Sequence, residues 1–323
     1  MKHLVVGGEG YIGQKLVSDL ININKDAVIS FDCRIYKQKK NSNIYNKKLY
    51  RLINDKMSNF NKYSNILSSI DSLIILGGLV GDPITKKYSK VSKKINEDDI
   101  MNIMKISSKY KVPKIIFIST CSNYGLVNET ELATEKHRLK PLSLYAKSKV
   151  KCEKYLFKLK FNTPVILRFA TAFGLSDRMR FDLTVNEFTR DLYYKKKLDI
   201  YDQKSWRPYC HVNDFSRIIR KVLIVEKKKV AYQIFNVGNN RNNCTKKNLV
   251  DKIVRILKYK NNRINYLNKG FDRRNYKVDF SKIEKVLKIK TKFDINYGIK
   301  EIVSFFKKNK NYFKNKKLGN YKI

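Results

Sequence analysis

Residues 4–21 read Leu4-Val5-Val6-Gly7-Gly8-Glu9-Gly10-Tyr11-Ile12-Gly13-Gln14-Lys15-Leu16-Val17-Ser18-Asp19-Leu20-Ile21. A short apolar run enters a glycine cluster, and a helix-period pattern leaves it, which predicts strand, tight turn and helix. A second apolar run, Ala27 to Phe31, ends at Asp32. In this arrangement Gly7 makes the turn, Gly10 lets the backbone approach a pyrophosphate, and Gly13 lets the helix pack closely on the strand. Free amides at the helix start, around Tyr11 and Ile12, favour phosphate, and Asp32 accepts from a ribose hydroxyl. The stretch predicts a dinucleotide site on an α/β fold, a Rossmann-type doubly wound parallel sheet.

The rest of the chain fits that frame. Ser72 to Leu76 is a buried-strand pattern ending in Gly77-Gly78, small residues that let a cofactor pass closely. Tyr50 to Ile53 reads as a strand, and Asp55 after it is placed near an adenine. Lys114 to Ile118 is a further strand ending in Ser119-Thr120. With Met57–Leu67 and Ile95–Lys109 as helices, these βα units imply a mostly parallel sheet covered by helices. Leu126 to Leu139 reads as a loop crossing the mouth of the site. After Gly174 the rhythm weakens towards a smaller C-terminal α/β substrate lobe. The expected organisation is a nucleotide-binding domain over 1–174 with later returns to its sheet, a lobe over 175–310, and a basic tail over 311–323.

Tyr145 and Lys149 are four apart at the start of a helix pattern, so they share a face. A free tyrosine titrates at about 10 and is a poor base at neutral pH. A nearby ammonium and a positively charged nicotinamide both favour the phenolate, bringing Tyr145 towards proton transfer with a sugar hydroxyl. Lys149 also reaches the cofactor ribose, and Thr120 orients the substrate oxygen.

The composition narrows the partners. Five cysteines without paired spacing fit a reduced, cytoplasmic setting. No apolar stretch approaches a bilayer span, and the N-terminus reads as a structural strand, not a signal peptide. His3, His137 and His211 are scattered, so no metal is expected. The formal charge of +42 comes from lysines spread along the whole chain. That is a bias of solvated positions, dense only from Lys307 to Lys317, and implies no specific nucleic-acid partner. A polyanion-binding protein on the same fold is the competing class, and it predicts cations gathered on one face.

On Gly7/Gly10/Gly13, Asp32, Ser119 to Gly125, Tyr145/Lys149 and Arg168-Phe169, the chain resembles the extended short-chain dehydrogenase/reductase family. Within it, the similarity is to the NAD-dependent epimerase/dehydratase group acting on nucleotide sugars. The resemblance covers nearly the whole chain. It implies NAD as cofactor, with Asp32 favouring NAD while Arg34 and Lys37 leave NADP open. It implies a sugar-nucleotide diphosphate held by Arg207 in the segment Arg207 to Asp214 and by Arg274 in the segment Asp272 to Lys282. The stretch Arg178 to Asn186 resembles a subgroup that includes GDP-heptose oxidoreductases, which adds Arg180 and Asn186 to the substrate set. The activity implied is hydride transfer at sugar C4, as a dehydrogenase, with 4-epimerase and 4-keto reductase as alternatives. Family members commonly pair through the helix carrying the Tyr/Lys motif. A homodimer is therefore implied, although Lys147, Lys151, Lys154 and Lys158 on that helix oppose a symmetric apolar contact. The sequence departs from the 4,6-dehydratases, which carry an acidic pair after the threonine where this chain has Cys121 and Ser122. Glu129, Glu131 and Glu135 are the acids that the mouth loop offers instead.

Overall fold

The computed structural model describes residues 1–36, 48–258, 263–267 and 274–322. Lys37, Asp272 and Arg273 lie outside them. The chain opens with β1 (Lys2–Val6), α1 (Tyr11–Asn22), β2 (Ala27–Phe31) and β3 (Tyr50–Ile53), then a 3-10 segment (Met57–Ser69) and β4 (Ser72–Ile75). Helices α2 (Asp82–Lys87), α3 (Ser89–Lys93) and α4 (Ile100–Lys109) lead to β5 (Lys114–Thr120), α5 (Leu144–Lys158) and β6 (Thr163–Phe169). Then follow β7 (Thr171–Phe173), α6 (Thr184–Tyr193), β8 (Leu198–Tyr201), β9 (Trp206–His211), α7 (Val212–Ile224) and α8 (Lys227–Val230). The last elements are β10 (Gln233–Val237), β11 (Asn243–Thr245), α9 (Lys246–Leu257), β12 (Ile264–Leu267), α10 (Ser281–Leu287) and α11 (Ile295–Asn309).

Among the described residues, seven parallel strands form one sheet in the order β10-β6-β5-β4-β1-β2-β3. The strands are apolar on both sides because helices cover both faces. Along β1, Val5 joins a core with Leu16 and Leu20 of α1 and Ile218 of α7. Leu4 and Val6 join the opposite core, with Ile103 of α4 and Leu156 of α5. The chain winds outward from β1 in one direction and from β4 in the other. The crevice at the carboxyl ends of β1 and β4 is thus the switch point, where such sheets bind ligands. β10 is a return of the later chain to this sheet.

The second lobe contains the sheet β11-β9-β7 and the parallel pair β12-β8. Its core joins Phe173, Val185, Leu192, Leu249 and Ile299. The doubly wound sheet with a smaller α/β lobe matches the expected class. No helix among the described residues is long and apolar enough to cross a membrane.

Three local readings change. The helix expected from Ile95 starts earlier, at Ser89, just after the short α2 that carries Pro83 in its first turn, and passes through a π-helical turn at Lys94–Asp99. Asn96, fully buried, makes the turn useful: its amide accepts from Leu79 N at 2.8 Å and donates to Leu79 O at 3.0 Å. Met57–Ser69 is 3-10 rather than α-helical. His211 caps α7, while the Asp214 carboxylate accepts from the amides of Lys292 and Phe293. Finally, residues 313–320 are docked rather than a free basic tail. Phe313 is buried beside Phe306, and Phe181 N donates to Leu318 O at 2.7 Å.

Candidate active site

The glycine turn sits as the spacing predicts. Gly7 has φ +84°, and a Cβ there would lie 2.5 Å from Gly77 N at the end of β4. A Cβ on Gly13 would lie 2.2 Å from Gly7 O, so that glycine is required by helix–strand packing. Gly10 differs: the nearest atom to its added Cβ is Gly7 O at 3.3 Å, and its φ of −75° suits any residue. The protein itself demands this glycine less than it does Gly7 and Gly13. The N-terminus of α1 has no side-chain cap, which leaves its amides free for an anion. Asp32 ends β2, its carboxylate oriented by amides of Glu9 at 3.0 Å and Arg34 at 2.7 Å. Burial pushes the Asp32 carboxyl up, against those two hydrogen bonds. Gly77 N donates to Val6 O at 2.8 Å, tying the β4 turn to β1, and Gly78 has φ +148° beside Asn96. These features fit a dinucleotide.

Three expected cofactor contacts are placed otherwise. The Tyr11 hydroxyl donates to Gly174 O at 2.5 Å and its ring packs with Met179 and Phe181, so only its backbone, like that of Ile12, belongs to the groove. Asp55 is consumed locally, accepting from Lys56 N, Asn59 Nδ2 and Tyr63 Oη, which hold its carboxyl below the usual range. Ser119 is buried and turned into the sheet. Its hydroxyl donates to Glu153 and accepts from Asn123.

That inward turn belongs to a buried polar network beneath the site. Glu153 holds Arg168 at 2.7 Å; Arg168 donates to Tyr124 Oη at 3.1 Å, and Tyr124 donates to Asn236. Glu153 lies on α5, two turns from Tyr145, so the network fixes α5 against β5 and β6.

Tyr145 lies in the first turn of α5, capped by Ser143, which accepts from Ala146 N at 3.2 Å. Lys149 is one turn further and 1% exposed. Its Nζ donates to Ile118 O at 2.8 Å, lies 4.6 Å from the Phe117 ring centroid, and 5.8 Å from that of Tyr145. Burial lowers the Lys149 ammonium from 10.5 to about 8. Burial raises the Tyr145 phenol, with Asp82 adding to the rise and Arg180 opposing it. In the protein alone the phenol is thus raised, not lowered as expected beside Lys149, because desolvation dominates. Thr120 ends β5, and its hydroxyl oxygen accepts from Ser122 N at 3.1 Å, leaving its proton to donate.

Opposite stands the second lobe. Arg274 Nη2 pairs with Asp82 Oδ2 at 2.8 Å, and Nη1 donates to Ser122 Oγ at 3.2 Å. Ser122 also meets Tyr276 Oη at 3.2 Å. Arg207 donates to Trp206 O at 2.7 Å and to Arg274 O, with its guanidinium 5.5 Å from the Tyr276 ring centroid. Arg207 and Arg274 are thus brought together, near Thr120 and Tyr145. Arg180 is buried and held by Asp182, close enough to Tyr145 for its charge to be felt. Asn186 is fully buried, and its amide is spent on Gly174 N, Arg180 O and Tyr11 Oη. It braces the 174–182 loop, and the expected diphosphate contact is not open to it.

Cys121 cannot serve as an acid. It is buried, donates to Arg168 O, and burial pushes its thiol far up. The three mouth-loop acids are engaged elsewhere: Glu129 with Asn275, Glu131 with His137, and Glu135 with Asn236 N. The acid whose charge is felt at Tyr145 is Asp82, which sequence reasoning passed over as part of a turn. Tyr276 was also missed, although it stands in the same motif as Arg274.

The profile of the NAD dependent epimerase/dehydratase family matches residues 3–238. An uncharacterized protein of Methanocaldococcus jannaschii is 27% identical over 96% of this chain and 97% of its own length. A UDP-glucuronate 4-epimerase of Thermodesulfobacterium geofontis is 25% identical over 95% of this chain and 96% of its own length. Among solved structures, UDP-glucuronic acid 4-epimerase from Bacillus cereus superposes with a TM-score of 0.84 at 23% identity, covering 96% of this chain and 100% of that one. The dTDP-glucose 4,6-dehydratase of Bacillus anthracis gives a TM-score of 0.84 at 22% identity, covering 97% and 98%. With the profile spanning most of the sequence, the chain belongs to the NAD-dependent epimerase/dehydratase family.

Proposed function

We propose that this chain is an NAD-dependent oxidoreductase of a nucleotide-activated sugar, transferring hydride at sugar C4. The observation that carries the proposal is the meeting of Tyr145, Lys149 and Thr120 with Arg207 and Arg274 at the switch-point crevice. When bound, the nicotinamide supplies a hydride acceptor and a positive charge. Asp32 would hold the adenosine ribose, and the α1 amides around Gly10 would hold the pyrophosphate. Thr120 donates to the reacting sugar oxygen and orients it. Tyr145 takes the hydroxyl proton, its phenol brought down from its buried value by the cofactor's charge and by Lys149. Arg274 and Arg207 face the diphosphate with charge-assisted bonds.

Dehydrogenation is the leading reaction, with 4-epimerisation and 4-keto reduction using the same groups. The relatives named as 4-epimerases give the epimerase its support. A GDP-heptose-like substrate rests only on the sequence resemblance of the stretch 178–186 to that subgroup. Cys121 and Ser122 argue against 4,6-dehydration, because neither supplies an acid. The scattered cations argue against polyanion binding as the working role. A homodimer through α5 remains part of the proposal, and size measurement in moderate salt tests it.

The test is incubation with GDP-, UDP-, CDP- and dTDP-sugars and NAD, following product mass and reduced-nicotinamide absorbance. Loss of two hydrogens supports dehydrogenation; unchanged mass with altered stereochemistry supports epimerisation. A Tyr145→Phe variant with full turnover overturns the mechanism.

A further inference from the structure

We infer that Arg178, held by Asn320, is a cationic ligand of the cofactor's pyrophosphate and closes the cofactor groove from the second lobe. The inference rests on the dinucleotide-binding part of the proposed function.

Arg178 is 4% exposed. Among the described residues its guanidinium meets an amide and a ring rather than a carboxylate. Nη2 donates to Asn320 Oδ1 at 2.6 Å, and the group stands 4.4 Å from the Tyr36 ring centroid. A buried guanidinium so provided for is under-compensated, which burial registers by lowering it to about 10. Beside it, Tyr36 Oη is buried with no hydrogen-bond partner among the described residues. A buried guanidinium bonded to an amide and a buried hydroxyl without an acceptor therefore stand side by side.

The topology says which anion passes there. Arg178 and Asp32, at the end of β2, feel each other's charge. Asn320 also donates from Nδ2 to Val80 O at 2.9 Å, just past the glycines that follow β4. In the sheet, β1 lies between β2 and β4. A chain of contacts from the β2 end to the β4 end therefore crosses the end of β1, over Gly7–Gly10 and the uncapped start of α1. That is the pyrophosphate position, with Asp32 placing the adenosine on the Tyr36 side. Ser176 Oγ, bonded to Tyr11 O at 2.6 Å, and Leu318 O, bonded to Phe181 N, fasten the crossing at both margins.

The test is titration of the full chain and its variants with NADH, ADP, adenosine, UDP and GDP, with NADH release followed by fluorescence. Arg178→Met is expected to weaken NADH and ADP by about tenfold or more, while adenosine binding stays as in the wild type. Arg178→Lys should recover part of the ADP affinity, and Asn320→Ala should release NADH faster. Equal losses for adenosine and ADP would reduce Arg178 to a structural role and overturn the inference. So would a loss confined to UDP or GDP, which would assign the arginine to the substrate, or unchanged ADP binding. Wild-type protein that binds neither NADH nor ADP would overturn the cofactor assignment itself.

Discussion

Replacing Lys149 by methionine should make the protein more stable and far less active. The ammonium is 1% exposed and lowered from 10.5 to about 8 by burial. That difference corresponds to about 3 kcal/mol by which folding disfavours the charged form. Methionine has similar length and no charge, but forfeits the hydrogen bond to Ile118 O, about 1 kcal/mol. A net gain of roughly 2 kcal/mol at pH 7 follows, read as a melting temperature higher by roughly 4 °C. The pH dependence carries the sign. Below about pH 8 the lysine is charged in both folded and unfolded chains, so its full cost is present. As pH rises from there towards 10.5 the folded lysine loses its proton first, and the cost fades. The advantage of Lys149→Met should therefore be largest below pH 8 and shrink above it, while turnover falls by about a hundredfold or more. Denaturant melts from pH 7 to 10 measure the difference. A variant less stable than wild type at pH 7, or an advantage independent of pH, would refute the reasoning.

Asp82→Asn should shift the rising limb of kcat/KM against pH to lower values, because the Asp82 charge helps hold the Tyr145 phenol up; an unmoved limb in a pH–rate profile would count against that charge effect. Gly10→Ala should keep its stability within about 1 kcal/mol yet lose NADH affinity, whereas Gly13→Ala should cost about 1–3 kcal/mol in chemical denaturation because its Cβ meets Gly7 O. Glu153→Gln should destabilise by about 3–5 kcal/mol, since it strands the buried Arg168; calorimetry or urea titration reads this directly.

What could be read from sequence was set by short-range spacing. Gly7, Gly10 and Gly13 serve one turn, and Tyr145 and Lys149 share one helix face, so their placement needs little beyond local geometry. The site's second wall is a product of distant closure. Asp82 meets Arg274, and Asn320 reaches Val80 across 240 positions. Polar side chains misled in both directions. Asn96 looks like a surface residue in a helix pattern, yet it is buried and hydrogen-bonded to Leu79. Asn186 looks available for a ligand, yet its amide is spent on neighbouring protein groups, and Asp55 already accepts three hydrogen bonds from residues close by in sequence. The lysine-rich tail conceals Phe313 and Leu318, two apolar anchors that its charge density outweighs in any compositional reading.

The central claim is hydride transfer at sugar C4, and isotope tracing tests it most directly. Nucleotide sugars deuterated at C4, presented with NAD, should transfer the label to the nicotinamide or return it to C4 of an epimerised product. Product formed with the C4 deuterium left in place throughout, or exchanged into water, would contradict it.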